Sequence, residues 1–211
     1  MNCDIAGVIL AGGLSRRMGG GDKGLLAIAG TAMLSRVIDR LRPQARAIAL
    51  NANGDPARFS AFDLPVIADP VEGFAGPLAG VLAGLNWAAG LQTPPSHIVT
   101  VASDTPFFPI DLADRLLAAN EERDDRIVLA ASDGNRHPVF GLWPLGLRGP
   151  LAAFMAATDT YKVLAFVREH DHRIADFPLV RAGEKTLDPF FNANTPDDIE
   201  IAERIVLETT H

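Results

Sequence analysis

Apolar runs of strand length alternate along this chain with segments of helical period, and that alternation constrains its fold more than any other feature. Residues 5–11 (IAGVILA), 45–50, 65–68 and 97–102 (HIVTVA) are short apolar runs that read as buried strands. Residues 31–42 place Met33, Leu34, Val37, Ile38 and Leu41 on one helical face, and further helices are expected over 78–89, 109–122, 161–169 and 196–207. Strand followed by helix, repeated, predicts an α/β fold in which a mostly parallel sheet is covered on both faces. No internal repeat, low-complexity segment or linker divides residues 1–211, so a single domain is expected.

The irregular residues stand where the strands end. A glycine-rich loop follows the first strand, "NANG" the second, "DPVEGFAGP" the third and "SDTPFFP" the fourth. Ligands of open α/β sheets bind beyond the carboxyl ends of the strands, so four polar loops converging on one sheet edge mark the candidate site. The first loop carries Arg16, Arg17 and Lys23 among its glycines, although the chain has a net charge of −7. Such an acidic balance argues against a nucleic-acid binder and confines any positive potential to a local feature such as this loop. The single cysteine, Cys3, allows no intrachain disulfide and points to a reducing compartment. The N-terminus has no basic, signal-like start, and the most apolar stretch, 78–91, is too short to span a bilayer. A soluble cytoplasmic protein is expected.

Gly19, Gly21 and Gly24 satisfy G-x-G-x-x-G, but they stand about eight residues past the strand instead of directly after it, as a dinucleotide fingerprint requires. Lys23 is followed by Gly24, which excludes a Walker A loop. Glycine next to cations lets backbone N–H groups and charge enclose a run of phosphates, whereas a solvated surface turn would use the same composition to no chemical end. Structural readings compete elsewhere too. Asp104 before Pro106 and Asp69 before Pro70 are good turn residues. Gly76, Gly80 and Gly84 can be the small-residue face of a packed helix. Thr195, Pro196, Asp197 and Asp198 read as a helix cap, first turn and acidic start. His137 before Pro138 fits a loop histidine or a place near a second substrate, and His170 and His172 fit a solvated surface.

The segments "LAGG", "RRMGGGDKGLL", "NAN", "DP…GPLAG", "SDTPF" and "FFNANTPDDI" occur in this order along essentially the whole chain. In these it resembles the molybdenum cofactor guanylyltransferases of MobA type, within the wider nucleotidyltransferases. The resemblance implies a Rossmann-like three-layer α/β/α fold of the nucleotide-diphospho-sugar transferase type. It implies transfer of GMP from GTP to molybdopterin, with release of pyrophosphate. Leu10, Ala11, Gly12 and Gly13 would line the nucleotide with their backbone, Lys23 would hold the polyphosphate, and Asn51 and Asp69 would contact the nucleoside. Asp104 would bind nucleotide and Mg2+, and Arg17 and Lys23 would offset charge on the leaving pyrophosphate. Gly76 and Pro77, at a helix start that exposes free N–H groups to anions, and Asn192 and Asn194 are candidates for the pterin side. The resemblance also implies transient contact with cofactor-delivery proteins or recipient molybdoenzymes.

The chemistry needs these residue types. Attack of one phosphate on another crowds anions together, so positioning and charge neutralisation carry the step. Magnesium needs one or two carboxylates beside substrate phosphates, and Asp104 follows an apolar strand that would hold one rigidly. Alternatives that keep the fold are cytidylyl transfer to molybdopterin, a sugar-phosphate acceptor, or a non-catalytic nucleotide-binding regulator. "LAGG" and "NxNTP" favour guanine, and a regulator would not need Asp104 with Arg17 and Lys23. A nicotinamide dehydrogenase fits poorly, because Asn51 stands at the end of the second strand where an acidic residue is expected.

Overall fold

The computed structural model describes residues 4–11, 23–71, 76–158, 162–182 and 185–209. Strand β1 (Ile5–Leu10) is followed by the two short strands β2 (Ala27–Ile28) and β3 (Thr31–Ala32), helix α1 (Met33–Leu41), β4 (Ala47–Asn51) and β5 (Val66–Ile67). Then come α2 (Gly76–Ala89), β6 (His97–Ala102), α3 (Leu112–Asn120), β7 (Ile127–Ser132) and β8 (Asn135–Pro144). The chain continues through α4 (Arg148–Ala157), α5 (Val163–Arg168), β9 (His172–Phe177), β10 (Val180–Ala182), β11 (Lys185–Leu187) and α6 (Pro196–Thr209). Seven strands form one sheet in the order β5-β4-β1-β6-β8-β7-β9. Strand β8 runs antiparallel to both neighbours, and the remaining pairings are parallel. The expected mostly parallel α/β sheet is thus present.

Period-two alternation sorts the strand residues onto two buried faces. Ile5 and Ile9 of β1, Val99 and Val101 of β6, and Val128 and Ala130 of β7 join α1 and α3 in one core. Ala6, Val8 and Leu10 of β1, Ile98 of β6, and Ile127 and Leu129 of β7 join α2, α4 and α5 in the other. All six residues of β1 are buried, which is why its run is apolar throughout and does not alternate with polar residues. Helix α2 lies so close to the sheet that a Cβ on Gly84 would come within 2.7 Å of a Val8 methyl. The small-residue reading therefore accounts for Gly84. No described helix is long and apolar enough to cross a membrane.

Several boundaries move for local reasons. The helix expected over 31–42 starts at Met33, because Thr31 and Ala32 pair with β2. The helix expected to run to 122 stops at Asn120, where Glu121 and Glu122 take left-handed φ values of 54° and 59°. Strands β7, β8 and β9 and helix α4 have no counterpart in the pattern reading of the sequence. The β7–β8 hairpin turns at Asp133 and Gly134, with φ of 47° and 75°, the two positive angles of a type I′ turn. An Asp-Gly pair between apolar runs is the signal that would have found it.

The antiparallel junction of β6 with β8 is joined by side chains as well as backbone. Trp143, fully buried, donates its Nε1–H to Thr100 Oγ1 at 3.0 Å, and that hydroxyl donates to the Val139 carbonyl at 2.7 Å. Replacing Thr100 by the near-isosteric valine leaves a buried indole N–H without its partner. Thr100→Val is expected to cost about 1–3 kcal/mol, read as a lower urea midpoint at unchanged slope.

Candidate active site

Parallel pairing sets the ends of three strands side by side. Leu10 is in register with Asn51 of β4 and with Ala102 of β6. The ladder runs on past the strands, with Ala11 N–H donating to the Asn51 carbonyl at 2.9 Å and Ser103 N–H to the Leu10 carbonyl at 3.1 Å. Leu10, Ala11, Asn51 and Asp104 therefore stand on one edge of the sheet. Gly12, Gly13 and Arg17, with the rest of the cationic loop before Lys23, lie outside the described residues.

On the β4 side, the polar residues form a closed set. Asn51 is only 3% exposed, and its Nδ2 donates to the Ile67 carbonyl at 3.2 Å and to Asp69 Oδ1 at 2.9 Å. Asn53 donates to the other carboxylate oxygen of Asp69 at 2.7 Å and accepts from the Asp69 backbone N–H at 2.8 Å. Both amide hydrogens of Asn51 are thus engaged within the protein, while Asp69 stands half-buried above it. Asn53 was missed in the sequence, although its place two residues past Asn51, on the same side of an extended segment, is a usable signal. Gly80 closes this set from below: a Cβ there would lie 2.4 Å from Asn51 Oδ1 and 2.7 Å from a Leu10 methyl carbon. The first turns of α2 accordingly press on the ends of β1 and β4. Gly76 opens that helix with φ of 62°, beside an exposed Pro77.

On the β6 side, Asp104 and Lys23 are joined by the segment before α6. Strand β8 pairs with β6 as far as Thr100, opposite Gly141; beyond it the Asp104 carbonyl accepts from Ala193 N–H at 2.9 Å. Thr105, fully buried, donates its hydroxyl to Asn192 Oδ1, and Lys23 Nζ donates to Asn194 Oδ1 at 2.7 Å. The structure thus brings Lys23, Asp104, Asn192 and Asn194 together. Asp198 Oδ2 accepts from the backbone N–H groups of Asn194 and Thr195 at 2.9 and 2.8 Å, and Thr195 Oγ1 accepts from Asp198 N–H at 3.2 Å. This reciprocal capping box accounts for Thr195 and Asp198, and it also fixes the backbone of Asn194.

The electrostatics follow from burial. Burial pushes the Asp104 carboxyl above its ordinary value, with Lys23 and a hydrogen bond from its own backbone opposing. Burial also raises the Asp198 carboxyl, but the hydrogen bonds of the cap and the charge of Lys23 bring it below its ordinary value. One carboxylate is thus satisfied by the protein and the other is held where a cation or a ligand's counter-charge would complete it. Among the described residues no three His, Cys, Asp or Glu side chains gather as a metal cluster.

A mostly parallel sheet that gathers a lysine, a half-buried carboxylate and two asparagine pairs at one edge suits a nucleotide-handling α/β enzyme, and the relatives of the chain narrow the class. Residues 7–174 match the family model described as the MobA-like NTP transferase domain, and the chain belongs to that family. It is 51% identical, over 100% of both chains, to a molybdenum cofactor guanylyltransferase of Mesorhizobium japonicum. It is 52% identical to one of Rhodopseudomonas palustris strain BisB5, covering 95% of this chain and 93% of that one. Among solved structures, the molybdopterin-guanine dinucleotide biosynthesis protein A of Archaeoglobus fulgidus shares the fold. Its TM-score is 0.74 at 22% identity, covering 96% of this chain and 99% of that one. The 4-diphosphocytidyl-2C-methyl-D-erythritol synthase of Anaerococcus prevotii shares it too, with a TM-score of 0.70 at 14% identity over 96% and 98% of the chains.

The raised Asp104 carboxyl has a consequence for stability. Because the folded state holds this proton more tightly than the unfolded chain, its contribution is fully present below the unfolded value of about 3.8 and is lost as pH rises through the folded value. Asp104→Asn is therefore expected to melt at the same temperature as the unmodified protein in strong acid and at a higher temperature near pH 7. Thermal melts across that pH range read the difference.

Proposed function

We propose that this chain is a nucleotidyltransferase domain that moves GMP from GTP to molybdopterin, forming the guanine dinucleotide form of the cofactor and releasing pyrophosphate. The observation that carries the reading is the meeting of Lys23, Asp104, Asn192 and Asn194 at the end of β6, one strand away from the Asn51–Asn53–Asp69 set. The near-full-length likeness to guanylyltransferases supports guanine as the base. In the transfer, an oxygen of the acceptor's terminal phosphate attacks the α-phosphorus of GTP, and the bond from that phosphorus to the β-phosphate bridging oxygen breaks. The electron pair leaves with pyrophosphate. No side-chain nucleophile is required, because the acceptor supplies its own.

Each residue then has a task. Asp69, braced on both oxygens by Asn51 and Asn53, presents a fixed acceptor to nucleoside N–H or O–H groups. Lys23, aimed by Asn194, lies against the polyphosphate and offsets charge on the leaving group, with Arg17 assigned the same task. Leu10, Ala11, Gly12 and Gly13 line the nucleotide with their backbone. Asn192, with Oδ1 engaged by Thr105, keeps its N–H2 donors for the acceptor side, and the helix that starts at Gly76 and Pro77 turns the N–H groups of its first turn, to which proline itself adds none, toward the same side. Asp104 suits Mg2+: it is one half-buried carboxylate with no metal cluster around it among the described residues, and magnesium commonly takes one or two carboxylates with phosphates and water. When bound, the ion would neutralise phosphate charge. A cytoplasmic setting and contacts with delivery proteins or molybdoenzymes complete the proposal.

The test is turnover with GTP, CTP and ATP, each with magnesium and molybdopterin. Pyrophosphate release with GTP in clear preference supports the reading, and preference for CTP would replace guanylyl by cytidylyl transfer. Asp104→Asn is expected to lower turnover by roughly a hundredfold or more in a protein that melts no lower. Lys23→Ala is expected to weaken GTP binding by about 1–3 kcal/mol, measured by calorimetric titration.

A further inference from the structure

Ser132, His137 and Asp188 meet in a polar cluster that the proposed reaction does not use directly. Ser132, at the end of β7, is fully buried, and its Oγ lies 2.7 Å from Asp188 Oδ1 and 2.6 Å from His137 Nε2. The hydroxyl has one hydrogen. A carboxylate can only accept, so that hydrogen goes to Asp188 and His137 must donate Nε2–H to Ser132. Burial lowers the basicity of the imidazole, against the pull of Asp188, which agrees with a neutral ring carrying its proton on Nε2. This is not a hydrolytic triad: serine stands in the middle, its hydroxyl is not exposed, and the histidine nitrogen that faces it already carries a proton and cannot accept another.

The cluster's output is backbone position. Asp188 Oδ1 also accepts from the Phe190 N–H at 2.8 Å, and the His137 ring packs on the Phe190 ring with centroids 4.4 Å apart. Phe190 in turn packs on Phe140 and Phe177, at 4.7 and 5.2 Å. From that fixed point the chain needs only four residues, 191–194, to bring Asn192 to Thr105, Ala193 to the Asp104 carbonyl and Asn194 to Lys23. One end of the segment is thus held by the β7–β8 hairpin and the other by the cap of α6.

We infer that Ser132, His137 and Asp188 are positioning residues for the transfer reaction: they anchor the 188–194 segment so that Asn192 and Asn194 hold Thr105 and Lys23 in place. The inference rests on the proposed guanylyl transfer. Lys23 remains a cation near the phosphates when the anchor loosens, so binding is retained; its fixed direction is lost, so the rate falls.

Ser132→Ala, His137→Leu and His137→Gln test this, the last because a glutamine amide offers a donor where Nε2–H stood. In Ser132→Ala and His137→Leu, kcat per GTP-binding site, counted by calorimetry, is expected to fall about tenfold or more, with the Kd for GTP changed by less than about threefold. His137→Gln is expected to recover most of that rate. Hydrogen–deuterium exchange should rise in a peptide covering 188–195 and stay unchanged in one covering 47–53. Unaltered exchange over 188–195 in Ser132→Ala, or an unaltered kcat per site, overturns the anchor. Absence of GMP transfer by the unmodified protein overturns the functional reading instead, and the exchange experiment still decides whether the anchor exists.

Discussion

Burial of β1 on both faces is the constraint on which the rest of this structure depends. Its six residues are covered by helices above and below and by β4 and β6 on either side. A strand so enclosed can carry polar groups only where it ends, and parallel pairing makes its neighbours end beside it. The register of Leu10 with Asn51 and Ala102 therefore does more than order a sheet. It brings loops separated by dozens of residues in sequence to one edge, on a support stiff enough to hold them. The close approach of α2, which a side chain at Gly80 would prevent, keeps Asn51 beneath that edge.

The second organising device is the segment 188–194. Strand β8 follows β6 only to Thr100, and past that point Ala193 takes up the bond to Asp104. An irregular segment thereby does what a strand would do, while presenting two amide side chains, one to Thr105 and one to Lys23. It also settles the charge balance at this edge. Asp198 is satisfied by its cap, Lys23 is aimed by a neutral amide, and Asp104 stays half-buried with its charge incompletely compensated. In a chain with net charge −7, the proposed function asks Lys23, and a cation on Asp104, to make this edge a place for a polyanion.

Much of the first half of the fold was legible because its signals are local. The run 5–11, the helical face of Met33 to Leu41 and the run 97–102 each carry their own period. The second half was not, because the hairpin of β7 and β8 bends around Pro138 with a register shift between Leu129 and Ala130, which removes any regular alternation. Among site residues, Lys23, Asp104, Asn192 and Asn194 were singled out in the sequence and stand together. Asn53, Thr105 and the Ser132 cluster were not, since each matters only through a partner distant in the chain. His137 reads as a loop histidine from its neighbours and is a strand residue bonded to Ser132.

By itself, the amino-acid sequence determined the strand–helix alternation, the polar residues at strand ends and the caps of α6, because propensity, period and hydrogen-bond chemistry act between residues close in the chain. Only the tertiary structure decided that Lys23 meets Asn194 across 171 positions, that Thr105 meets Asn192, and that Asp104 is buried enough to hold its proton more tightly. Those are facts of pairing order and packing. The energy that sets them is the burial of two apolar faces of a sheet, to which every strand contributes and no single segment can announce.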